Sequence, residues 1–296
     1  MVIRLPLLHF MPFMKTIFIY WLLFFFPVCL LQAQSGWVRA KGSGYVQATV
    51  SYFTSDQYFG LDGTENSNAS TFQSYALQWY AEHGLSDQLT IIGQGPLVKF
   101  NQLSSTKSVA GVGDIQLGVK WGLAKKWPLA LSVVAEIPTD DGILFAQAKQ
   151  PNELGILEQI NLPTSDGEWN FRTTLALSKS NSSGNIYGSL YGSINWRTEQ
   201  FSHQWQSGLE LGYAPSKKWW LIAKLQLQES LSDSPRNVSF LYGEGTTFTA
   251  FGFTTFYAVN DRWKITASYF DYTDVIVGIN NLYNGPTFSL GAALEY

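Results

Sequence analysis

In the stretch Thr287-Phe288-Ser289-Leu290-Gly291-Ala292-Ala293-Leu294-Glu295-Tyr296, one face of an extended strand collects Phe288, Leu290, Ala292, Leu294 and Tyr296. The other collects Thr287, Ser289, Gly291, Ala293 and Glu295, because successive side chains of a strand point to opposite faces. The same period of two runs back through the chain. Ile115, Leu117, Val119 and Trp121 oppose Asp114, Gln116, Gly118 and Lys120. Leu129, Leu131, Val133, Ala135 and Ile137 repeat the apolar set, and Trp205, Leu209, Leu211 and Tyr213 oppose Gln206, Gly208, Glu210 and Gly212. A period of two over segments of about ten residues predicts strands and excludes amphipathic helices.

The opening of the chain is different. A basic start, an apolar run from Ile17 to Leu31 broken by Pro27, and Gln32-Ala33-Gln34 follow one another, the order of a secretory signal. Cleavage after Ala33 is expected, leaving one domain over 34–296; Met14-Lys15 offers a second start with an ordinary signal layout. The only cysteine, Cys29, falls in the removed segment, and no small residue precedes it as a lipoprotein signal would require, so no disulfide or thiolate metal site is predicted. Removing Arg4 and Lys15 takes 19 basic against 22 acidic residues to 17 against 22, a charge of −5, which predicts no nucleic-acid partner.

Charged residues make up only 14% of the chain and aromatic ones 16%, where a soluble domain carries about a quarter charged. Beyond the signal no stretch approaches the roughly 18 apolar residues of a membrane helix. A charge-poor, aromatic-rich chain without spanning helices has one way to cross a bilayer, a closed barrel. The prediction is an all-β transmembrane antiparallel barrel of twelve strands, near 44–54, 71–83, 88–98, 111–122, 128–137, 168–178, 186–197, 203–214, 219–230, 246–259, 263–274 and 286–296. Short connections near 84–87, 123–127, 179–185, 215–218 and 260–262 alternate with long ones near 55–70, 99–110, 138–167, 231–245 and 275–285 and a shorter one near 198–202. This is the alternation of periplasmic turns and extracellular loops in a barrel of a Gram-negative outer membrane.

The short turns share a pattern in which polar residues end a strand and a bulky residue starts the next, as in Ala124-Lys125-Lys126-Trp127, Ser216-Lys217-Lys218-Trp219 and Asn260-Asp261-Arg262-Trp263. Trp127, Trp219, Trp220, Trp263 and Tyr296 are predicted as an interfacial girdle against outer-membrane lipid. The inward set then includes Gln78, Glu82, Asp114, Gln116, Lys120, Glu136, Arg172, Glu210, Lys224, Gln226, Gln228 and Lys264, with Asp114 expected near Lys120, Glu136 near Arg172 and Glu210 near Lys224. Two readings of Asp114, Lys120, Glu136, Arg172, Glu210 and Lys224 stay open: an ion-paired filling, or a polar pore lining. A closed barrel working through its outer loops is a third possibility. Catalysis is not predicted, nor are a cofactor or a metal. Only His83 and His203 survive processing, no Gly-x-Ser-x-Gly or His-Glu-x-x-His occurs, and a lipid-acting site would have to pair His203 with Ser202 or Ser207. Asp140-Asp141 and Asp166-Gly167 read as loop polarity.

Gly111-Val112-Gly113-Asp114-Ile115-Gln116-Leu117-Gly118-Val119-Lys120-Trp121 resembles a segment of the outer-membrane barrels named for the meta pathway of phenol degradation, often described as transporters. Glu136-Ile137-Pro138-Thr139-Asp140-Asp141 is similar to that family's polar residue followed by Pro-Thr-Gly-Asp, with Asp140 in place of the glycine; Gly167-Glu168-Trp169-Asn170-Phe171 stands where the family begins its next strand. The resemblance implies a channel-like barrel passing a small apolar or aromatic solute and supplies no catalytic residues; Asp114 and Lys120 match its motif. The alternating end on Tyr296 is likewise similar to the signal that the outer-membrane assembly machinery reads, which makes that machinery an expected partner.

Overall fold

The computed structural model describes residues 34–66, 68–232 and 235–296; the expected signal peptide, residues 1–33, lies outside them. Twelve long strands form the wall: β1 Gly44–Ser55, β2 Phe72–Gly84, β3 Leu89–Leu103, β4 Ile115–Ala124, β5 Leu129–Ile137, β6 Asn170–Ser180, β7 Ile186–Arg197, β8 Gln204–Ser216, β9 Trp219–Ser230, β10 Phe248–Ala258, β11 Trp263–Thr273 and β12 Thr287–Glu295. Each pairs antiparallel with its neighbours in the chain, and β12 pairs with β1 from Tyr45↔Glu295 to Phe53↔Thr287, which closes the ring. Closure leaves no free edge, so every ladder group in the bilayer has a partner.

Alternation decides the faces. Val50, Leu117, Val133, Leu175, Leu190, Leu221 and Leu290 stand out from the wall, while Gln47, Thr49, Ser132, Thr174, Ser193, Ser268 and Ser289 are buried inside it. This charge-free outer band around a sheet with no edge makes the molecule a transmembrane barrel of the kind found in the outer membrane of Gram-negative bacteria. Among the described residues no helix is long and apolar enough to cross a membrane. A single helical turn among the described residues, Phe240–Tyr242, belongs to the β9–β10 loop and packs inward, with Phe240 against Phe72 and Tyr283 at 5.0 and 4.9 Å between ring centres.

All twelve predicted strands are present. The largest boundary error is at 99–110, expected as a loop. There β3 runs on to Leu103 because β2 keeps pairing with it as far as Phe72↔Leu103, and Val109–Gly111 folds back on Lys99–Asn101. Consequently β4 begins at Ile115 and Gly111 belongs to the outer hairpin. Where Pro96 lacks an N–H, the β2–β3 ladder slips register between Leu77 and Gln78, a bulge at the position where a proline is tolerated. Trp220 also departs from expectation: it follows outward Trp219 by one residue, so it points inward, 5.5 Å from the Tyr187 ring. Trp127, Trp219, Trp263 and Tyr296 are exposed at the turn end of the wall.

Residues 34–43 were assigned to no element by the sequence. They run inside the turn end of the barrel. Gly36 N–H donates to Ser178 Oγ at 2.8 Å, Arg39 N–H to Thr90 Oγ1 at 2.8 Å, and Trp37 meets the Tyr187 ring edge-on at 5.3 Å. The strap therefore spans from β2 and β3 to β6 and β7 across the inner mouth.

Candidate functional site

The six charged residues singled out from the sequence separate into two clusters at opposite ends of the lumen, because a strand rises about 3.3 Å per residue and six residues along β4 amount to about 20 Å. Asp114 and Lys120, expected together, are thus apart. Lys120, 1% exposed, donates from Nζ to Glu82 Oε1 at 2.9 Å and to the Trp37 carbonyl at 3.4 Å. Glu82 also accepts from Arg39 Nε at 2.7 Å. Arg39 reaches Glu295 at 3.5 Å, and Glu295 holds Lys264 at 2.6 Å. Glu210 and Lys224, cross-strand neighbours in β8 and β9, pair at 2.8 Å as expected. Lys120, Glu82, Arg39, Glu295, Lys264, Glu210 and Lys224 are thus all paired, which is what a low-dielectric interior demands. Between the strap and the barrel wall a cavity of about 250 Å³ remains, lined by Arg39, Tyr187, Glu210, Lys224 and Lys264 among others.

The loop end holds the other three. Asp114 is set by the Gly111-Val112-Gly113 turn: a Cβ at Gly111 would overlap Thr164 Oγ1, and one at Gly113 would overlap the Pro96 ring. Two glycines let residues 163–166 of the β5–β6 loop lie against this turn. There Ser165 donates its hydroxyl to Asp114 Oδ1, Asp166 N–H donates to Asp114 Oδ2 at 3.2 Å, and the Thr139 hydroxyl donates to the Val112 carbonyl at 2.8 Å. Asn170 Nδ2 donates to Glu136 Oε1 at 2.9 Å and to Asp166 Oδ2 at 3.2 Å, and Gln116 donates to Glu136 Oε2. Arg172 lies 3.9 Å from Glu136. The expected Glu136–Arg172 neighbourhood is present, with Asn170 the closer partner.

Asp166 is a correction. Far from plain loop polarity, it is half-buried between Asp114, Glu136 and Arg197, and one carboxylate oxygen from each of Asp114, Glu136 and Asp166 lies within 4.8 Å of the others. Burial, reinforced by the Asp166 and Glu136 charges, pushes Asp114 up to about 7. Burial pushes Glu168 up to about 8 against the opposing pull of Arg197. Buried Arg197 joins the two folded-in loops, binding Glu168 on one side and the Tyr242 and Gly243 carbonyls on the other. Glu244 accepts from Ser202 N–H, the Ser202 hydroxyl and Arg236 N–H. Asp166, Glu168, Arg197 and Glu244 escaped the sequence because three of them sit in loops, where no period reports burial. Tyr187 was within reach of the parity of β7.

His203 Nδ1 accepts from Arg197 N–H at 3.1 Å and its ring meets Trp196, while the Ser202 hydroxyl is committed to Glu244. His203 and Ser202 therefore form no nucleophile–base pair. At the loop end a second cavity, about 480 Å³, opens between the folded-in turn Phe240–Tyr242 and the wall; Asp114, Glu136 and Lys99 lie on its lining with Phe72, Phe240 and Tyr283.

No protein-family model and no curated protein matches the chain. Solved structures do resemble it in fold. The COG4313 outer membrane channel from Pseudomonas putida F1 superposes with a TM-score of 0.63 at 15% identity, over 90% of this chain and all of that one. The NanC porin gives 0.53 at 9% identity over 84% and 100%, and the translocator domain of the autotransporter NalP from Neisseria meningitidis gives 0.50 at 9% over 87% and 90%.

Proposed function

We propose that this barrel is an outer-membrane channel, of the kind named for the meta pathway of phenol degradation, that passes a small apolar or aromatic solute down its gradient. The observation that carries this reading is the pair of lumen cavities, about 480 Å³ at the loop end and 250 Å³ at the turn end, with buried serines and threonines on the inner wall between them. Small hydroxyl side chains take up less room than the large apolar ones that fill a packed core. The Gly111 to Trp121 segment supports the family assignment, and Asp114, Lys120, Glu136, Arg172, Glu210 and Lys224 are the residues proposed to line the path. A rival reading, recognition through the outer loops, draws support from exposed Ile143, Phe145, Leu154 and Ile156 on the hairpin that pairs Phe145–Gln147 with Gln159–Asn161.

The test is single-channel conductance in a planar bilayer, comparing the natural chain with Lys120→Ala and Arg172→Ala. Discrete openings whose ion selectivity shifts in the variants are expected. A silent bilayer from folded, heat-modifiable protein would remove the channel reading and favour the loop surface.

A further inference from the structure

The loop-end cavity has two chemically different sides. On one, Phe72, Phe240 and Tyr283 pack with ring centres 4.9 to 5.4 Å apart; on the other stand Asp114 and Glu136, with Lys99 beside them. At about 480 Å³ the space is in the range of small-molecule sites. Charge on the acidic side is not balanced by the protein. Of the charged groups on the cavity's lining, Asp114 and Glu136 outnumber Lys99 two to one. Among the described residues Asp114 has no basic group within 4 Å, and its carboxylate bonds come from the Ser165 hydroxyl and the Asp166 N–H. Lys99 donates instead to the Thr164 carbonyl at 3.5 Å. The raised pKa of Asp114 has the same origin, burial plus the neighbouring Asp166 and Glu136 charges.

A second observation comes from the wall beside the cavity. Ser289 sits across the β12–β1 ladder from Ser51, which lines the cavity. It is 8% exposed, and its hydroxyl has no hydrogen-bond partner among the described residues. A buried polar atom without a partner costs free energy unless something else supplies one, and this one lies a single ladder position from the cavity wall.

We propose that this cavity is a binding site for a small arylalkylamine, its ring seated against Phe72, Phe240 and Tyr283 and its ammonium group on Asp114. The inference rests on the channel reading and narrows its solute class from apolar or aromatic to aromatic with a cationic head. Ring-to-ring contact favours the aromatic body. Both the carboxylates and the electron-rich ring faces favour the cation over an anion of the same shape.

Protein purified from outer membranes in detergent is titrated calorimetrically at pH 8 with phenethylamine, 2-phenylethanol and phenylacetate. Phenethylamine is expected to bind at least about tenfold more tightly than the alcohol, with phenylacetate weakest. Asp114→Asn and, independently, Glu136→Gln should shrink the amine's advantage while leaving the alcohol unchanged, and Phe240→Ala should weaken both; heat-modifiable mobility checks that each variant is folded. Equal affinities, a preference for phenylacetate, or calcium chloride binding where phenethylamine does not would overturn the proposal. Bilayer conductance of the same preparation separates the two claims. Amine binding without openings keeps the site and removes the channel; openings with no discrimination among the three probes do the reverse.

Discussion

Lys120 is tolerated inside a membrane protein because Glu82 and the Trp37 carbonyl accept from its ammonium group. The reciprocal dependence is strong: Glu82, with Lys120 and Arg39 both against it, would become a buried charge with one partner if Lys120 were lost. Lys120→Met is therefore expected to destabilise the barrel by about 3 kcal/mol, in the range for breaking one side of a buried pair. The double variant Lys120→Met with Glu82→Gln should recover part of that loss. Urea unfolding in lipid vesicles, followed by tryptophan fluorescence, measures both, and a double variant as unstable as the sum of the singles would show that the two side chains are not coupled. At this scale the sequence named the right residue types and two of the three expected pairs. Parity places Glu210 and Lys224 on one face, and strand adjacency makes them neighbours. Asp114 and Lys120 share a face too, but parity is blind to distance along a strand.

Two elements make the barrel narrower than its strand number requires, and each depends on close backbone contact. The strap of residues 34–43 passes Gly36 against the Pro128 carbonyl, where any Cβ would overlap it. Gly36→Val is expected to expel the strap from the inner mouth and raise single-channel conductance severalfold, with the heat-modifiable fold intact; an unchanged conductance would mean that the strap does not set the constriction. At the outer end, the β5–β6 loop is latched through Ser165 and Asp166 onto Asp114. Asp114, Asp166 and Glu168 all have raised pKa values, so the latched state holds more protons than the free loop would between the usual carboxylate range and about pH 8. Latching is thus strongest below the ordinary carboxylate pKa and weakens as pH rises through about 7 to 8. Protease cleavage within residues 138–167 should accelerate with pH over that window, after correction for the protease's own pH profile, by at most about tenfold per pH unit for each proton released. Cleavage independent of pH, or slower at high pH, would refute this. Neither element was legible beforehand. Loops and straps have no hydrophobic period, and the Gly111-Val112-Gly113 turn reports only that something approaches closely.

For the molecule as a whole, the apolar outer band and the closed sheet set the energetics. Val50, 58% exposed on the lipid face in the middle of β1, should tolerate leucine and resist charge. Val50→Arg is expected to cost about 2–4 kcal/mol, whereas arginine at Val259, in the β10–β11 turn, should cost at most about 1 kcal/mol. Unfolding free energies in vesicles compare the two, and equal costs would place the bilayer elsewhere on the wall. The period of two, the scarcity of charge and the spacing of turns were enough by themselves to determine twelve strands, their faces and closure, because each is a local consequence of alternation and of the need to pair every backbone group in hydrocarbon. What fills the lumen was decided only by the tertiary structure. The strap, the inward turn at Phe240, the split of six charges into two clusters and the gathering of Asp114, Glu136 and Asp166 all join residues distant in sequence. Such contacts arise from the curvature of the closed wall and from loops folding back into it, and no local pattern encodes either.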